Sequence, residues 1–154
     1  MRDHMWQLYY ALVASLLALC TVLPLHSAWA EAIGQIKTLA GDVTIVRHGT
    51  STAAEAGSLL EKADTLVTGA GGRVGITFID NSRFSMGPNS RIALEQFTFN
   101  QTTQEGEFRT KLERGTLAVR SGHIAHTSPD AMTVQTRTSI LGVRGTHFLV
   151  KVEE

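Results

Sequence analysis

The sequence predicts an all-β domain, and three observations support this prediction. Apolar and polar residues alternate with a period of two in most segments of residues 31–154, as they do in half-buried strands. All 14 glycines lie in the same part of the chain, and each would cost a helix interior about 1 kcal/mol. Turn-forming residues separate the alternating runs. Many short strands joined by turns indicate a sandwich, a jelly roll or a coiled β-helix, and all three architectures remain open.

The strand-like alternation is clearest around residues 74–78. Val74, Ile76 and Phe78 share one predicted face, with small or polar residues between them. Phe97 and Phe99 continue the alternation of an earlier run after a shift of one residue, which predicts an irregularity there. The other alternating runs are residues 43–46, 92–94, 108–113, 116–120 and 147–152.

Turn chemistry separates these runs. Asp80, Asn81 and Ser82 favour a turn because short polar side chains cap their own backbone. Residues 69–72 and 87–90 are rich in Gly or contain Pro, and Gly115 is expected to form a tight break between two strands. The segment 50–60 lacks clear alternation, so we expect an irregular loop or a single turn of helix there.

Residues 1–30 have the pattern of a secretory signal peptide. Residues 8–23 contain no charged side chain, and Pro24 ends any helix formed there. Ala28 and Ala30 form the small-x-small motif that a signal peptidase recognises, which places the cleavage after Ala30. We therefore expect a signal helix over residues 1–30 and one domain over residues 31–154. The alternative is an uncleaved N-terminal membrane anchor formed by the same thirty residues.

Charge and cysteine content exclude several classes of protein. Lys and Arg total 14, Asp and Glu total 14, and the formal net charge is zero. This balance argues against a nucleic-acid-binding protein, which normally carries a basic excess. The single cysteine, Cys20, lies in the predicted signal peptide. The domain therefore has no internal disulfide and no cysteine-based zinc site.

No sequence motif indicates catalysis. The chain has no G-x-S-x-G motif, and the glycines of residues 69–75 do not fit the dinucleotide-binding pattern because a strand follows them. His123 and His126 are three residues apart, a spacing that could present two metal ligands on a helix. In the strand end or loop expected here they would point to opposite faces, as an exposed pair. We expect no enzyme activity, no cofactor and no catalytic, cofactor-binding or metal-binding residues.

The charged residues are expected to be solvated. Glu105 with Glu107, and Glu61 with Asp64, have the character of exposed loop carboxylates. Several arginines that could bind an anionic ligand are interpreted as a solvated surface balanced by acidic neighbours. These arginines are Arg73, Arg83, Arg91, Arg114, Arg137 and Arg144.

The order of the motifs resembles that of the FecR domain. Residues 57–69 read G-x-x-L-x-x-x-D-x-L-x-T-G, which is close to the pattern of that family, and Phe78 to Ser82 read F-x-D-N-S. Proline and serine follow at Pro88 and Ser90, and a terminal V-x-G-T-x-F-x-V begins at Val143. The remaining elements of the resemblance are residues 33–47, 112–117 and 134–136.

The resemblance implies an all-β extracytoplasmic module whose motif residues maintain the fold. In the regulators that name the family, the domain lies beyond the inner membrane and relays a transport signal from the outer membrane. Those proteins also carry a cytoplasmic region that acts on a sigma factor. Because residues 1–30 are assigned to export, we expect a stand-alone FecR-like module here.

Two functions follow as expectations. The first is a periplasmic or secreted module that binds a protein or envelope partner in sensing, signalling or scaffolding, through its surface or through a sheet edge. The second is a module that binds a small molecule or a glycan with its loops. A hydrolase is a third, weaker alternative. Contact with a membrane is expected only through residues 1–30, if they are not cleaved.

Overall fold

The computed structural model describes residues 31–127, 130–145 and 147–153, and this part of the chain is almost entirely β-structure. The all-β prediction is confirmed, whereas the predicted signal helix lies outside the described residues. The strands, in chain order, are β1 (Gly34–Ala40), β2 (Val43–Arg47), β3 (Thr50–Ala53), β4 (Leu59–Leu60), β5 (Thr65–Thr68), β6 (Arg73–Phe78), β7 (Arg83–Met86), β8 (Arg91–Phe99), β9 (Gly106–Arg120), β10 (Met132–Gln135), β11 (Ile140–Val143) and β12 (His147–Val152). One helical turn, α1 (Ile124–Thr127), follows β9.

The twelve strands form one curled sheet with two layers. Layer A has the strand order β4-β1-β6-β7-β9-β12, and layer B has the order β3-β2-β5-β8-β9-β10-β11. The 15-residue strand β9 belongs to both layers, because its first half pairs with β8 and β10 and its second half pairs with β7 and β12. All pairs are antiparallel except β9 with β10. Of the three predicted architectures, this one is nearest to the sandwich.

At three places, two strands that follow each other in the chain form one long strand that bends from one layer into the other. β1 leads into β2, β5 into β6, and β7 into β8, and in each pair one member lies in layer A and the other in layer B. Short turns make the bends, at residues 41–42, 69–72 and 87–90. Since neighbouring strands bend at the same level, the turns lie next to one another along one edge of the molecule. We call this edge the corner.

The core lies between the two layers and is centred on four phenylalanines. Phe78 and Phe84 come from layer A, and Phe97 and Phe108 from layer B. The ring of Phe108 lies with its centroid 4.7 Å from that of Phe78, 5.1 Å from that of Phe84 and 4.8 Å from that of Phe97. Each ring is at most 5% exposed. Aromatic contacts between the layers therefore hold the sandwich closed.

The alternation predicted from the sequence is confirmed in the strands of the core. Val74, Ile76 and Phe78 are buried on one face of β6. The expected shift before Phe97 is an irregularity in the register between β8 and β9, which leaves Phe97 buried and Phe99 half-buried.

Two local predictions were wrong. The segment 50–60 contains two strands, β3 and β4, because His48 and Gly49 adopt φ values of 49° and 81° and turn the chain into a hairpin with β2. Such paired positive φ values are typical of two-residue hairpin turns. Gly115 does not end a strand but bends β9 in its middle, with φ at 86°.

Candidate binding surfaces

The residues of the family-like motifs build the corner. The backbone N–H of Thr68 donates to the carbonyl of Ser90 at 2.9 Å, and the N–H of Ser90 donates to Thr68 Oγ1 at 2.8 Å. The N–H of Thr116 donates to Ser90 Oγ at 2.9 Å. Thr68 and Ser90 are buried. Two short polar side chains therefore satisfy the backbone groups that the bends remove from regular strand pairing.

A second motif closes the turn between β6 and β7. The carboxylate of Asp80 accepts hydrogen bonds from the N–H of Ser82 at 3.0 Å and from its hydroxyl at 2.7 Å. The N–H of Gly122 donates to Ser82 Oγ at 2.9 Å. Asp80 and Ser82 are fully buried. The predicted turn is confirmed, and it also anchors the chain where β9 ends.

Glu61 and Asp64 were expected to be solvated loop carboxylates. That expectation was wrong for Asp64. Asp64 is fully buried, and its carboxylate accepts hydrogen bonds from Arg47 Nε at 2.8 Å and from Arg47 Nη2 at 2.7 Å. The N–H of Glu61 also donates to Asp64, at 2.8 Å. These hydrogen bonds with Asp64 raise the pKa of the Arg47 guanidinium above its ordinary value. The bidentate pair fixes the loop before β5 to the end of β2.

More than half of the chain matches a known protein family. The model of the family described as "FecR protein" matches residues 64–154. The chain belongs to the FecR family. The match begins at Asp64 and covers two of the three turns of the corner, the Asp80 turn and the terminal strand, whereas the turn at residues 41–42 and the rest of the resemblance in residues 33–63 lie outside it.

This FecR chain also resembles one solved structure. A solved structure described as "Cell surface anchoring domain" is 32% identical and covers 40% of this chain and 83% of its own, with a TM-score of 0.39. No curated protein sequence matches the chain significantly.

The histidines of the FecR domain do not converge on a site. His123 Nε2 lies 3.0 Å from Asn81 Nδ2, and the His123 ring lies 6.4 Å from that of Phe99. His126 lies on α1, where a strand end or loop was expected, and its ring would be 2.9 Å from a Cβ placed on Gly145. Within the described residues, no group of three His, Cys, Asp or Glu side chains is placed to hold a metal ion. No helix in this part of the chain is long and apolar enough to cross a membrane.

The arginines lie in different environments. Arg91 pairs with Glu113 at 2.8 Å on the outer face of layer B, as expected for a balanced surface. Arg73 and Arg83 lie instead on the outer face of layer A, and neither forms an ion pair with any described residue. Arg120 shares that face and is likewise without an ion pair in the described chain. The expectation of acidic neighbours was wrong for this group.

The sheet edges differ in their side chains. On β3, every residue is exposed and none is larger than threonine, and β4 is only two residues long. At the other end, β12 pairs with β9 alone among the described strands, and β11 pairs with β10 alone. Leu149 on β12 is 66% exposed and Ile140 on β11 is 69% exposed. The β11 and β12 edges therefore combine unpaired backbone with exposed apolar side chains.

Sequence reasoning located neither surface. The alternation of residues 147–152 indicated that Leu149 faces away from the core, but not that β12 lies at a sheet edge. Likewise, the alternation of residues 116–120 indicated that Arg120 faces outward, but its position beside Arg83 depends on the pairing of β7 with β9.

Proposed function

We propose that this FecR domain is a non-enzymatic binding module of the cell envelope, and that it binds a protein partner by strand addition at the β12 edge. The observation that carries the proposal is the open edge of β12 beside the exposed side chain of Leu149. Exposed edge strands recruit extended segments, because the main chain supplies hydrogen bonds and the alternating side chains supply specificity.

Family membership supports the location and the absence of catalysis. FecR domains are generally periplasmic, and the family is regulatory rather than enzymatic. Export through residues 1–30 agrees with this location and remains a proposal. Mass spectrometry of the purified mature protein tests it: a chain that begins at Glu31 supports cleavage after Ala30, and a retained residue 1 indicates an anchor.

The three-dimensional context favours β12 over the other edges. β12 has six residues, and its inward side chains Phe148 and Val150 pack against the core, so the strand is held in an extended form before a partner arrives. A preformed strand lowers the entropy cost of adding another strand. By contrast, β3 and β11 have four residues each and β4 has two, so they offer a partner fewer backbone hydrogen bonds. The side chains of β3 are also exposed and mostly polar, so this strand offers no apolar contact for specificity.

Site-specific crosslinking in cells of the source organism tests this proposal. A photoreactive residue at Leu149 should yield a discrete crosslinked protein, whereas the same residue at Thr52 on β3 should not. The crosslinked protein is then identified and purified. Leu149→Lys should weaken its binding to the full chain about tenfold or more, because a charge replaces an apolar contact at the added strand. Equal crosslinking at both positions, or unchanged affinity of Leu149→Lys, would contradict strand addition at β12.

A further inference from the structure

The strands of layer A carry positive charge without negative charge. The strand residues of this layer are β1, β4, β6, β7, residues 115–120 of β9, and β12, and they contain no Asp or Glu. They contain five basic residues: Lys37, Arg73, Arg83, Arg120 and Lys151. The chain as a whole is neutral. The neutral total therefore conceals a layer whose strands carry only basic residues, because the acidic residues lie in the strands of layer B and outside the strands.

The register of the strands arranges these residues in rows across the outer face. Arg83, Arg120 and His147 are successive partners in one row. Arg73 and Lys151 lie in a parallel row, four residues away along the strands. At about 3.3 Å per residue, the two rows are roughly 13 Å apart.

An uncharged row runs between the two basic rows. Its members are Thr38, Gly75, Ser85, Ala118 and Leu149, one from each of five neighbouring strands. Four of the five are small, so the row forms the floor of a shallow trough across the strands. Strands lie about 4.8 Å apart, which makes the trough about 19 Å long. A depression of about 560 Å³ marks its β7–β12 end.

One side of the trough has an unfavourable charge arrangement. Arg83 and Arg120 are directly opposite each other on adjacent strands, both exposed on the same face. Like charges in this position destabilise a sheet. Among the described residues, Lys151 alone of the five basic residues has an acidic partner, Glu153 at 2.7 Å, and Lys37 donates to the amide oxygen of Gln35. An anion placed between Arg83 and Arg120 would relieve their repulsion and accept hydrogen bonds from both guanidinium groups.

We propose that this trough binds a linear glycan that carries repeated acidic groups. The chain of the glycan would lie across the strands on the uncharged row, with its acidic groups directed to the basic rows on both sides. The hydroxyls of Thr38 and Ser85 on the floor would donate to and accept from sugar hydroxyls. This inference does not depend on the protein partner proposed for the β12 edge.

The chemistry of the trough favours a glycan over other polyanions. A peptide gains much of its affinity from backbone pairing, which is available at a sheet edge but not on a sheet face whose backbone is already paired. Inorganic polyphosphate could only accept hydrogen bonds from the floor hydroxyls, whereas sugar hydroxyls could both donate to and accept from them. An anionic membrane would favour a broad apolar contact, whereas Leu149 is the only large apolar residue in the uncharged row.

Binding of oligogalacturonates to the purified full chain tests the proposal. Oligomers long enough to cross five strands should bind measurably, and the digalacturonate should bind at least about tenfold more weakly because it reaches too few of the basic residues. The affinity should fall as the salt concentration is raised from about 0.05 M to about 0.5 M.

Two double variants with the same loss of charge locate the site. Arg83→Thr with Arg120→Thr should weaken binding about tenfold or more, whereas Arg109→Thr with Lys111→Thr, on layer B, should change it less than about twofold. Denaturant unfolding of both variants verifies that they fold, and loss of the Arg83–Arg120 repulsion should leave the first variant at least as stable as the wild type.

Four results would overturn the proposal. They are the absence of binding to any oligogalacturonate, an equal loss of affinity in both double variants, equal or tighter binding of poly-glutamate, and equal or tighter binding of vesicles rich in anionic lipid. The last two would assign the trough to an acidic protein segment or to a membrane surface, respectively.

Discussion

Gly115 is the residue on which the bend of β9 depends. Its φ is 86°, and a Cβ at this position would lie 2.5 Å from the Cα of Ser90. Two separate costs therefore oppose any side chain here, one from the backbone conformation and one from the neighbouring backbone of the corner.

Gly115→Ala should destabilise the domain by about 3 kcal/mol or more, or prevent folding, because both costs apply. Gly49→Ala is the matched control: φ is 81° there, but no atom lies within 4 Å of the added Cβ. The control should lose only about 1–2 kcal/mol. Equilibrium denaturation of both variants measures the difference, and equal losses would show that the corner does not confine Gly115.

Asp64 is a buried carboxylate whose importance depends on Arg47. Asp64→Ala removes the acceptor of three hydrogen bonds and leaves the Arg47 guanidinium and the N–H of Glu61 without it. Because Arg47 is 33% exposed and retains contact with water, we expect a loss of about 2–3 kcal/mol, below the range for a fully buried pair.

The control for Asp64 is Glu113→Ala, which removes the exposed ion pair with Arg91. Both side chains of that pair are more than one-third exposed, so the loss should be below about 1 kcal/mol. Denaturant unfolding at neutral pH compares the two variants. A loss in Asp64→Ala no larger than that in Glu113→Ala would contradict a structural role for the buried pair.

At the scale of the elements, contact between the layers depends on β9. Phe108 on β9 packs against rings from both layers and is fully buried. Phe108→Ala should therefore destabilise the domain by about 3–5 kcal/mol through the cavity that it leaves.

The comparison residue for Phe108 is Phe99, which is half-buried at the end of β8. Phe99→Ala should cost clearly less, about 1–2 kcal/mol, because the site is open to water and little cavity remains. Thermal unfolding followed by circular dichroism measures both. If Phe99→Ala were the more destabilising variant, the centre of the core would lie nearer to α1 than to the junction of the two layers.

Strand positions were predictable from sequence because alternation reports directly on burial. The faces of β6 and the irregularity before Phe97 were both predicted. The hairpin of β2 and β3 was missed, because Thr50 to Ala53 have no apolar alternation and the signal lies in the turn at His48 and Gly49. The bends at the corner were predicted only as turns between separate strands. A turn residue does not indicate whether the next strand lies in the same layer or in the other one.

The surfaces were less predictable than the strands, and for a physical reason. The burial of Asp64 depends on Arg47, which lies 17 residues earlier in the chain and approaches only through the pairing of β2 with β5. The contact of Arg83 with Arg120 depends on a pairing over 37 residues. A count of charges along the sequence does not show which distant residues the strand pairing brings together.

At the scale of the whole molecule, the two proposed binding surfaces are adjacent but separable. The β12 edge depends on backbone hydrogen bonds and on Leu149, whereas the trough depends on the guanidinium groups of Arg83 and Arg120. The double arginine variant should therefore weaken binding of the acidic glycan and leave the affinity for the protein partner unchanged. Leu149→Lys alters both surfaces, because Leu149 also lies on the floor of the trough, so the double arginine variant is the one that separates them.

The central claim is that a protein partner binds at the β12 edge. Amide hydrogen exchange of the full chain, with and without the purified partner identified by crosslinking, tests it most directly. An added strand would pair the free backbone edge of β12, so the amides of residues 147–152 that point away from β9, every second one, should become protected while those of β3 remain unchanged. Protection confined to β3, or unchanged exchange throughout β12 at a saturating concentration of partner, would contradict partner binding at this edge.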